Sequence, residues 1–367
     1  MSHRPHTAPP ATSRRAFVRA SLAAAAGLAA GASALPALGG LLPPTADPTT
    51  FDLHLHPGQL FARGTARYPG DEAVLRTLRE MRAGGVGAGF VSLVADAPLL
   101  TIGREGVTVS GAFAPGEADA EFRRQLAAAR EVLPRAEARI VASMTEWRAA
   151  QREGLTAAWL ACEGSEFLDG DAGRVDVLWE AGIRSIQLVH YAPNAAGDLQ
   201  THAPQHGGLS AFGAAVVRRM TARRMLVDVA HATFETVRDV ARLDPGPLLL
   251  SHSLLRLDAA RPLAARTISP EHARLVAATG GVVGAWPSAT NASFAEFVEN
   301  TKRLADVVGV AHVGLGTDMD ANLRPVLSRY AQVRDWTAGL ATSGFTAAEV
   351  AQMAGGNMAR VLAQVVG

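Results

Sequence analysis

The chain has 367 residues, of which 48% are hydrophobic and 19% charged, a composition that supports a large core and argues against disorder. Outside the first 42 residues it carries 31 basic and 34 acidic residues, which argues against a nucleic-acid partner. Its single cysteine, Cys162, excludes an internal disulfide.

The first 42 residues have the features of an export signal. Ser13-Arg14-Arg15-Ala16-Phe17-Val18 precedes an uncharged run rich in Ala, Gly and Leu. The pattern resembles a twin-arginine signal, which passes folded proteins to the twin-arginine export machinery. We therefore expect an exported protein, periplasmic or secreted, that touches a membrane only through this leader if it stays uncleaved. An uncleaved anchor is the alternative, because the run is about as long as a spanning helix.

A Pro-rich linker, residues 43–50, leads into a single predicted domain, residues 51–367, in which short apolar runs alternate with amphipathic stretches. The runs that we predict to be strands are Thr50–His54, Gly89–Val94, Ala157–Cys162, Arg184–His190, Met225–His231, Pro247–His252, Gly281–Trp286 and His312–Asp318. The predicted helices are Glu72–Ala83, Ala118–Val132, Val175–Ala181, Ala211–Arg224, Thr233–Leu243, Pro270–Ala278 and Ser293–Val308. The alternation predicts an α/β fold, a (β/α)8 barrel. An open doubly wound sheet is the weaker alternative, because no Gly-rich phosphate loop follows the first strand.

Two stretches depart from this regular alternation. Residues 95–154 are too long for one crossover, and we expect a loop followed by two helices. The end of the chain, Thr346–Val366, predicts one or two closing helices that break at Gly355-Gly356-Asn357.

Acid and histidine residues end most of the predicted strands. They are His54 and His56, Glu163, His190, His231, His252 and Asp318. A barrel gathers the carboxyl ends of its strands at one mouth, where four histidines and one glutamate would be enough to hold two metal ions. Imidazole is a ligand that suits zinc well.

The ligand that bridges the two ions must be a carboxylate. Some two-metal hydrolases use a modified lysine on a barrel strand, but the only lysine of this chain, Lys302, lies in a predicted helix. Glu163 ends a strand of small and apolar residues and could place one oxygen on each ion. His231 and His252 end successive strands and form the natural pair for the second ion.

Other polar residues near the strand ends leave alternatives open. His190 could be a ligand or could polarise a substrate carbonyl, and Asp318 could carry a proton from water to a leaving group. Asp320 could be a rim residue or an orienting one. Asp52 and Asp228 could accept from histidine N–H groups or form salt bridges inside the barrel.

The remaining histidines of the predicted domain show no pattern of ligation. They are His202 and His206 in a Gly/Pro-rich loop, His272 in a helix and His312 at the far end of the last strand.

Taken together, the ordered motifs resemble the membrane dipeptidase (renal dipeptidase) family of zinc peptidases, from about Phe51 to the C-terminus. The motifs that carry the resemblance are Asp52–His54, Glu163-Gly164, Val189-His190, Asp228-Val229-Ala230-His231, Ser251-His252-Ser253, residues 265–271, residues 280–284, Gly314-Leu315-Gly316-Thr317-Asp318-Met319-Asp320 and residues 354–361.

The resemblance implies a distorted barrel with two zinc ions bridged by Glu163 and a hydroxide. By position, one ion would be held by His54, His56 and Glu163, and the other by Glu163, His231 and His252. The family's catalytic and substrate-binding positions match His190, which would contact the substrate or its oxyanion, Arg266, which would grip the substrate's terminal carboxylate, and Asp318, which would transfer the proton. We also predict a substrate contact from Asn194, in the loop after His190.

The chain departs from the family pattern at three places. His56 stands where the family usually has Asp, so the first ion would carry one less negative ligand. The loop from Leu254 to Ala265 is shorter than usual, and Met319-Asp320-Ala321 replaces Phe-Asp-Gly after Asp318.

These features predict a zinc-dependent dipeptidase that hydrolyses the amide bond of short peptides. The first alternative is another metal-dependent amidohydrolase acting on a cyclic amide or ester, which would not need the carboxylate anchor Arg266. The second is a non-catalytic periplasmic binding or maturation protein. A homodimer is also considered.

Overall fold

The computed structural model describes residues 50–103 and 106–367. The predicted export signal and almost all of the linker lie outside the described residues. Within the described part of the chain, no helix combines the length and the apolar character needed to cross a membrane.

The described residues form eleven strands and eleven α-helices. The strands are β1 Thr50–Leu55, β2 Val86–Val94, β3 Leu100–Gly103, β4 Gly106–Val109, β5 Ala138–Val141, β6 Thr156–Glu163, β7 Ile183–Gln187, β8 Leu226–Asp228, β9 Leu249–Ser253, β10 Val282–Ala285 and β11 Val313–Leu315. The helices are α1 Asp71–Ala83, α2 Glu117–Val132, α3 Met144–Arg152, α4 Val175–Glu180, α5 Ala211–Ala222, α6 Phe234–Ala241, α7 Pro270–Ala278, α8 Phe294–Val308, α9 Gln332–Thr342, α10 Ala347–Ala351 and α11 Asn357–Val365.

Shorter helical turns connect these elements. The 3-10 turns are Pro57–Ala62, Ala97–Leu99, Leu133–Ala136, Glu166–Leu168, Ala172–Arg174, Ala264–Arg266 and Val310–His312, and a π-helical turn, Gln352–Gly356, joins α10 to α11.

Eight parallel strands close into a barrel in the order β1, β2, β6, β7, β8, β9, β10, β11. The pairing of β2 with β6 is continuous from Ala88 opposite Ala157 to Val94 opposite Glu163. The pairing that closes β11 on β1 rests on a single register contact, Asp52 opposite Leu315, so the barrel is uneven around its circumference. The predicted (β/α)8 barrel is confirmed, and each of the eight predicted strands corresponds to a barrel strand.

The structure adds elements that the sequence pattern did not predict. Strand β5 pairs with the first half of β6, on the same edge where β7 pairs with the second half. Strands β3 and β4 form an antiparallel hairpin outside the barrel. The two helices predicted between residues 95 and 154 are present as α2 and α3, whereas α9 was not predicted.

Aromatic side chains fill the amino-terminal end of the barrel. Phe51 packs edge to face on Phe90 at 5.3 Å and on Trp147 at 5.4 Å between ring centroids. Trp159 is fully buried and its ring lies 6.0 Å from that of Trp147. Residues of the closing helix α11 join this cluster. The histidines and acids of the predicted site lie instead at the opposite, carboxyl end of the strands.

Three predicted strands end earlier than expected. β7 ends at Gln187, β8 at Asp228 and β11 at Leu315, so His190, His231 and Asp318 each lie three residues beyond a strand. His231 has φ 66° and Asp318 has φ 53°, and this left-handed conformation cannot continue a strand. The chain turns at these residues and directs them into the mouth of the barrel.

Candidate metal centre

Glu163, the last residue of β6, lies at the centre of a group of imidazoles. Its Oε1 is 3.1 Å from His54 Nε2, and its Oε2 is 3.2 Å from His56 Nε2. The same Oε1 lies 3.6 Å from His231 Nε2 and 3.9 Å from His252 Nε2. All five side chains are buried. The barrel therefore brings together the five predicted metal ligands.

The four imidazoles form two close pairs. His54 Nε2 lies 3.0 Å from His56 Nε2, and His231 Nε2 lies 3.0 Å from His252 Nε2. Two nitrogens on one tetrahedral zinc ion are about 3.3 Å apart when each Zn–N bond is about 2.0–2.1 Å. Each pair therefore has the spacing of ligands that share an ion.

The protonation of the site also suits a metal. Burial alone would raise the pKa of Glu163, but His190, His54 and His56 hold it well below its usual value, so this residue is a carboxylate. Burial lowers the pKa of His231 and of His252 well below the usual value, and both rings are neutral with a free lone pair.

The donor set fits zinc, but more than one grouping of ligands is geometrically available. The sets that place ligand atoms within 4.8 Å of one another are His54 with His56 and Asp318, His54 with Glu163 and His252, and Glu163 with His190 and His231. These sets overlap and do not reproduce the division between two ions that the family pattern implies, so that division stays a prediction.

Serine residues orient three of the histidines. His56 Nδ1 donates to the backbone carbonyl of Ser92 at 3.3 Å, and Ser92 Oγ lies 3.2 Å from His54 Nδ1. Ser251 Oγ lies 3.0 Å from His252 Nδ1. Because a carbonyl only accepts, Nδ1 of His56 carries a proton, and Nε2 is the nitrogen that a metal could bind once the ring has lost its second proton.

His190 is held between two carboxylates. Its Nδ1 donates to Asp96 Oδ1 at 2.7 Å, and its Nε2 lies 3.3 Å from Glu163 Oε1. The other oxygen of Asp96 accepts from the backbone N–H groups of Tyr191 at 3.2 Å and Ala192 at 2.8 Å. Burial alone would lower the pKa of His190, but Asp96 and then Glu163 raise it above its usual value.

Asp318 and Asp320, two residues apart, point in different directions. Asp318 Oδ1 lies 3.4 Å from His56 Nε2, at the edge of the centre. Asp320 Oδ2 instead accepts from the backbone N–H of Gly58 and the hydroxyl of Thr77, each at 2.6 Å. Asp320 thus holds the turn after β1 and does not face the imidazoles.

Arg266 is a buried cation beside the second histidine pair. Its Nη2 lies 3.3 Å from His252 Nε2, its Nη1 donates to Gln200 Oε1, and its guanidinium lies 5.5 Å from the centre of the Trp286 ring. Burial lowers the pKa of Arg266. Despite the short preceding loop, the arginine predicted to bind a carboxylate reaches the centre.

Comparison with known proteins identifies the family. The model of the membrane dipeptidase family, peptidase family M19, matches residues 48–366. The chain belongs to this family. The enzyme named Dipeptidase aclJ, from Aspergillus oryzae, is 28% identical over 225 residues, which are 58% of this chain and 52% of that protein. The chain spans about half the length of the curated relatives it matches.

Solved structures of two other proteins share the fold. A metallopeptidase from Rhodobacter sphaeroides, liganded with a phosphinate mimic of the dipeptide L-Ala-D-Ala, has a TM-score of 0.72 at 17% identity and covers 88% of this chain and 100% of its own. The probable dipeptidase PvdM from Pseudomonas aeruginosa has a TM-score of 0.71 at 18% identity, with 86% and 95% covered. These likenesses agree with the barrel described above.

In this chain, the acids Asp52 and Asp228 do not have the predicted neighbours. Asp52 accepts from Thr317 Oγ1 at 2.5 Å and Tyr330 Oη at 2.7 Å, and Asp228 accepts from the backbone N–H of Ser251 at 3.1 Å. Among the described residues neither acid bonds a histidine ring or a cation. The predicted bonds to histidine rings and the predicted salt bridges inside the barrel were therefore both wrong. Backbone and hydroxyl donors at the uneven strand junctions bind these carboxylates instead.

Asn194 is engaged inside its own loop. Its Nδ2 donates to Glu166 Oε1 at 3.0 Å and to the carbonyl of Leu188 at 3.1 Å, and its Oδ1 accepts from the N–H of Ala196 at 2.9 Å. Burial and the nearby Asp96 raise the pKa of Glu166 to about 8. These contacts leave the predicted binding of substrate by Asn194 without geometric support, and it stays a prediction.

The histidines without a ligation pattern lie apart from the centre. His202 and His206 are in the loop before α5, and His312 Nδ1 donates to the carbonyl of Gly281 at 2.8 Å. His272 is in α7, where burial lowers its pKa to about 4. Lys302 lies in α8 as predicted and pairs with Asp306 at 3.0 Å.

Sequence reasoning missed Ser92, Asp96 and Gln200. Ser92 and Asp96 lie on and just after β2, a strand whose predicted end carried no histidine or acid. An available signal was Asp96 itself, since it follows an apolar run as Asp318 does. No local pattern marks Gln200, which lies in the long loop between β7 and α5.

Proposed function

We propose that this chain is a dipeptidase whose site holds two zinc ions. The observation that carries the proposal is the position of Glu163, whose two oxygens face different imidazoles within one buried cluster. The ions would be held by His54, His56, His231 and His252, with Glu163 between them. When bound, zinc would lower the pKa of coordinated water to about 7 and polarise a carbonyl.

The protein residues around the ions would bind and orient the peptide. Arg266 presents a buried, planar guanidinium that suits the terminal carboxylate of a substrate, which it would bind through two N–H groups. A peptide whose terminal carboxylate binds there would place its last amide bond at the histidines. His190 Nε2 would contact the oxygen of the scissile carbonyl.

Asp318 would carry the proton. Its Oδ1 stands at the edge of the cluster, 3.4 Å from His56 Nε2. From this position it would accept a proton from the attacking water and return it to the nitrogen of the leaving amine.

The structural relative from Rhodobacter sphaeroides holds a mimic of L-Ala-D-Ala. This suggests the first substrates to examine, which are dipeptides with an L- or a D-residue at the C-terminal position.

A second candidate function is hydrolysis of a cyclic amide or ester. The His54-Leu55-His56 pair favours it, because two histidines at this spacing are widespread among such enzymes. Arg266 opposes it, since a neutral substrate would offer this buried cation no carboxylate to bind. A non-catalytic binding or maturation role is the weakest candidate, because a binding protein has no need of both the complete ligand set and Asp318.

The test is to purify the protein, measure its zinc content and assay a panel of compounds. The panel pairs each dipeptide with its C-terminal amide and includes cyclic amides and esters. We expect two zinc ions per chain and hydrolysis of free-acid dipeptides far above that of their amides. Equal rates on acid and amide, or preference for a cyclic substrate, would favour the second candidate. Absence of both zinc and hydrolysis would leave the binding role.

We further propose that the first 42 residues export the folded protein through the twin-arginine machinery. The support is the Arg14-Arg15 pair followed by the uncharged run. Fractionation of cells that produce the full chain tests it, with an Arg14→Lys, Arg15→Lys variant as control. The wild-type protein should be outside the cytoplasm and the variant retained there.

A further inference from the structure

Gln200 is a polar residue of the long loop between β7 and α5 that the proposed reaction does not yet use. Its backbone N–H donates to the carbonyl of His231 at 2.8 Å, and the preceding residue, Leu199, forms an isolated β-bridge with Ala232. These bonds fix the backbone of Gln200 against the segment that follows β8. The loop therefore holds the side chain of Gln200 beside the candidate metal centre.

The side-chain amide of Gln200 has two partners that determine its orientation. Its Nε2 donates to the backbone carbonyl of Thr267 at 3.2 Å, and its Oε1 accepts from Nη1 of Arg266. A carbonyl only accepts and a guanidinium only donates, so neither bond could form if the amide oxygen and nitrogen were exchanged. Gln200 thus binds the Arg266 side chain and the backbone of the next residue at the same time.

The three nitrogens of the Arg266 guanidinium differ in their surroundings. Nη1 is bonded to Gln200, and Nη2 lies 3.3 Å from His252 Nε2. Tyr191 also interacts with the guanidinium. Nε is buried and has no hydrogen-bond partner among the described residues. A buried donor without a partner is costly, and a bound anion would satisfy it.

Nε and Nη2 together suit a carboxylate. Their N–H groups lie on the same side of the guanidinium plane and match the two oxygens of one carboxylate. Arg63 binds an acid of this chain in that way, since its Nε donates to Asp71 Oδ1 at 3.0 Å and its Nη2 to Oδ2 at 3.5 Å. The nitrogen that this arrangement leaves out is Nη1, the one that Gln200 binds.

We propose that Gln200 is a positioning residue for substrate binding, one that holds Nη1 of Arg266 and leaves Nε and Nη2 to bind the terminal carboxylate of a dipeptide. The inference rests on the proposed function for the identity of that carboxylate. Its structural content, the fixing of the guanidinium by Gln200, does not depend on a substrate.

Gln125 in α2 provides a matched control. It is buried, its Oε1 accepts from the backbone N–H of Val94 at 2.9 Å, and its Nε2 donates to the carbonyl of Val94 at 2.8 Å and to Glu121 Oε1 at 2.7 Å. None of these bonds involves Arg266. Methionine keeps the length of a glutamine side chain but lacks the amide, so Gln125→Met and Gln200→Met are the same change at two sites.

The first experiment determines crystal structures of the zinc-loaded protein, free and with the phosphinate mimic of L-Ala-D-Ala that the relative from Rhodobacter sphaeroides holds. The wild type should bind the carboxylate of the mimic through Nε and Nη2 of Arg266, with Gln200 still on Nη1. In free Gln200→Met the guanidinium should leave its wild-type position or occupy several, whereas in free Gln125→Met it should stay. An unmoved Arg266 in Gln200→Met, or a carboxylate on Nη1 in place of Gln200, would overturn the inference.

The second experiment measures hydrolysis of dipeptides and their C-terminal amides. Gln200→Met should lower kcat/KM for dipeptides by about 10-fold, the effect of losing one hydrogen bond to a charged group. The loss should appear in KM, with kcat within a few-fold and zinc content unchanged, because the carboxylate is bound equally in the ground and transition states.

The amides and a double mutant separate positioning from support of the fold. Gln200→Met should affect the amides little and should have no further effect on dipeptides in the Arg266→Met background. Any loss in Gln125→Met should be equal on acid and amide. An equal loss on acid and amide in Gln200→Met would show that Gln200 only supports the fold and would overturn the inference.

The two experiments also separate this inference from the proposed function. If the wild-type protein neither hydrolyses dipeptides nor binds the mimic, the proposed function fails, and the free structures still decide whether Gln200 fixes Arg266. If dipeptides are hydrolysed and Arg266 keeps its position in Gln200→Met, the inference fails alone.

Discussion

His56 Nε2 lies 3.4 Å from Asp318 Oδ1, so the predicted ligand that departs from the family pattern stands beside the predicted proton carrier. The same nitrogen is 3.2 Å from Glu163 Oε2. Burial alone would lower the pKa of His56, but these two carboxylates raise it to about 10. Without metal the ring is therefore protonated across the neutral range.

This raised pKa predicts how the metal-free protein responds to pH. The folded-state pKa of His56 lies above the ordinary value of 6.5, so its proton stabilises the fold fully below about pH 6.5. The contribution is lost as pH rises toward 10. Thermal unfolding of chelator-treated protein should show this decline, and the metal-free variant His56→Asn, which cannot titrate, should lack it. Identical pH dependence in the two proteins would contradict the prediction.

Removing the charge of Glu163 should release metal. Glu163→Gln keeps the shape of the side chain, but a neutral amide cannot bridge two cations, so we expect fewer than two zinc ions per chain and no hydrolysis. Glu166→Gln is the control, because Glu166, with a pKa of about 8, is largely uncharged at neutral pH. Metal analysis after gel filtration compares the two. Full zinc content in Glu163→Gln would exclude its bridging role.

Asp318→Asn should separate chemistry from metal binding. Loss of the proton carrier is expected to lower kcat by about 10²–10⁴-fold while zinc stays bound. Asp320→Asn is the matched control, since that side chain bonds Gly58 and Thr77 and faces away from the cluster. It should unfold more easily and keep its kcat. Steady-state kinetics with metal analysis makes the comparison, and full activity in Asp318→Asn would remove it from the mechanism.

Arg266→Met should remove the preference for a free carboxylate. A charged hydrogen-bonded pair contributes about 1.5–3 kcal/mol, which corresponds to a fall of about 10- to 100-fold in kcat/KM for dipeptides. The corresponding dipeptide amides, which lack the carboxylate, should lose little. The ratio of the two rates in wild type and variant is the measurement. A parallel loss on acid and amide would mean that Arg266 supports the fold rather than the substrate.

Tyr330→Phe should weaken the closure of the barrel. Tyr330 Oη donates to Asp52 Oδ2 at 2.7 Å, and both residues are buried. Removing one partner of a buried hydrogen bond costs about 1–3 kcal/mol of unfolding free energy. Urea denaturation measures the loss, with Tyr68→Phe as a control because Tyr68 is only partly buried when it donates to Asp71. Equal stability in the two variants would argue against this bond as a closure element.

The sequence predicted the barrel well because its parallel strands are short apolar runs with polar ends. The clustering of the predicted ligands also followed from that pattern, since a barrel brings all carboxyl ends together. The ends of β8 and β11 were misplaced because the chain turns into the left-handed residues His231 and Asp318 while the apolar pattern of the sequence continues. β7 ends at Gln187 although the apolar pair Leu188-Val189 follows it.

Residues that orient the predicted ligands through hydrogen bonds were harder to predict. Ser92 accepts from His56 through its backbone carbonyl. Every residue type has this carbonyl, so the sequence does not reveal the contact. Asp52 was misassigned because its partners, Thr317 and Tyr330, are brought to it only by the closure of β11 on β1. Contacts between segments that are distant in sequence depend on how the barrel closes. The periodicity of the sequence does not predict them.

The aromatic packing of Phe51, Phe90, Trp147 and Trp159 makes the barrel a well rather than a tunnel. Because side chains fill the amino-terminal end, the proposed peptide substrate would enter, and both products would leave, through the opposite end of the barrel. The two products would then dissociate one after the other by the same route, and the product that dissociates last would block binding of the next substrate. At high product concentration, the rate of turnover should therefore depend on the product that dissociates more slowly. This dependence arises from the packed amino-terminal end of the barrel, far from the proposed reaction.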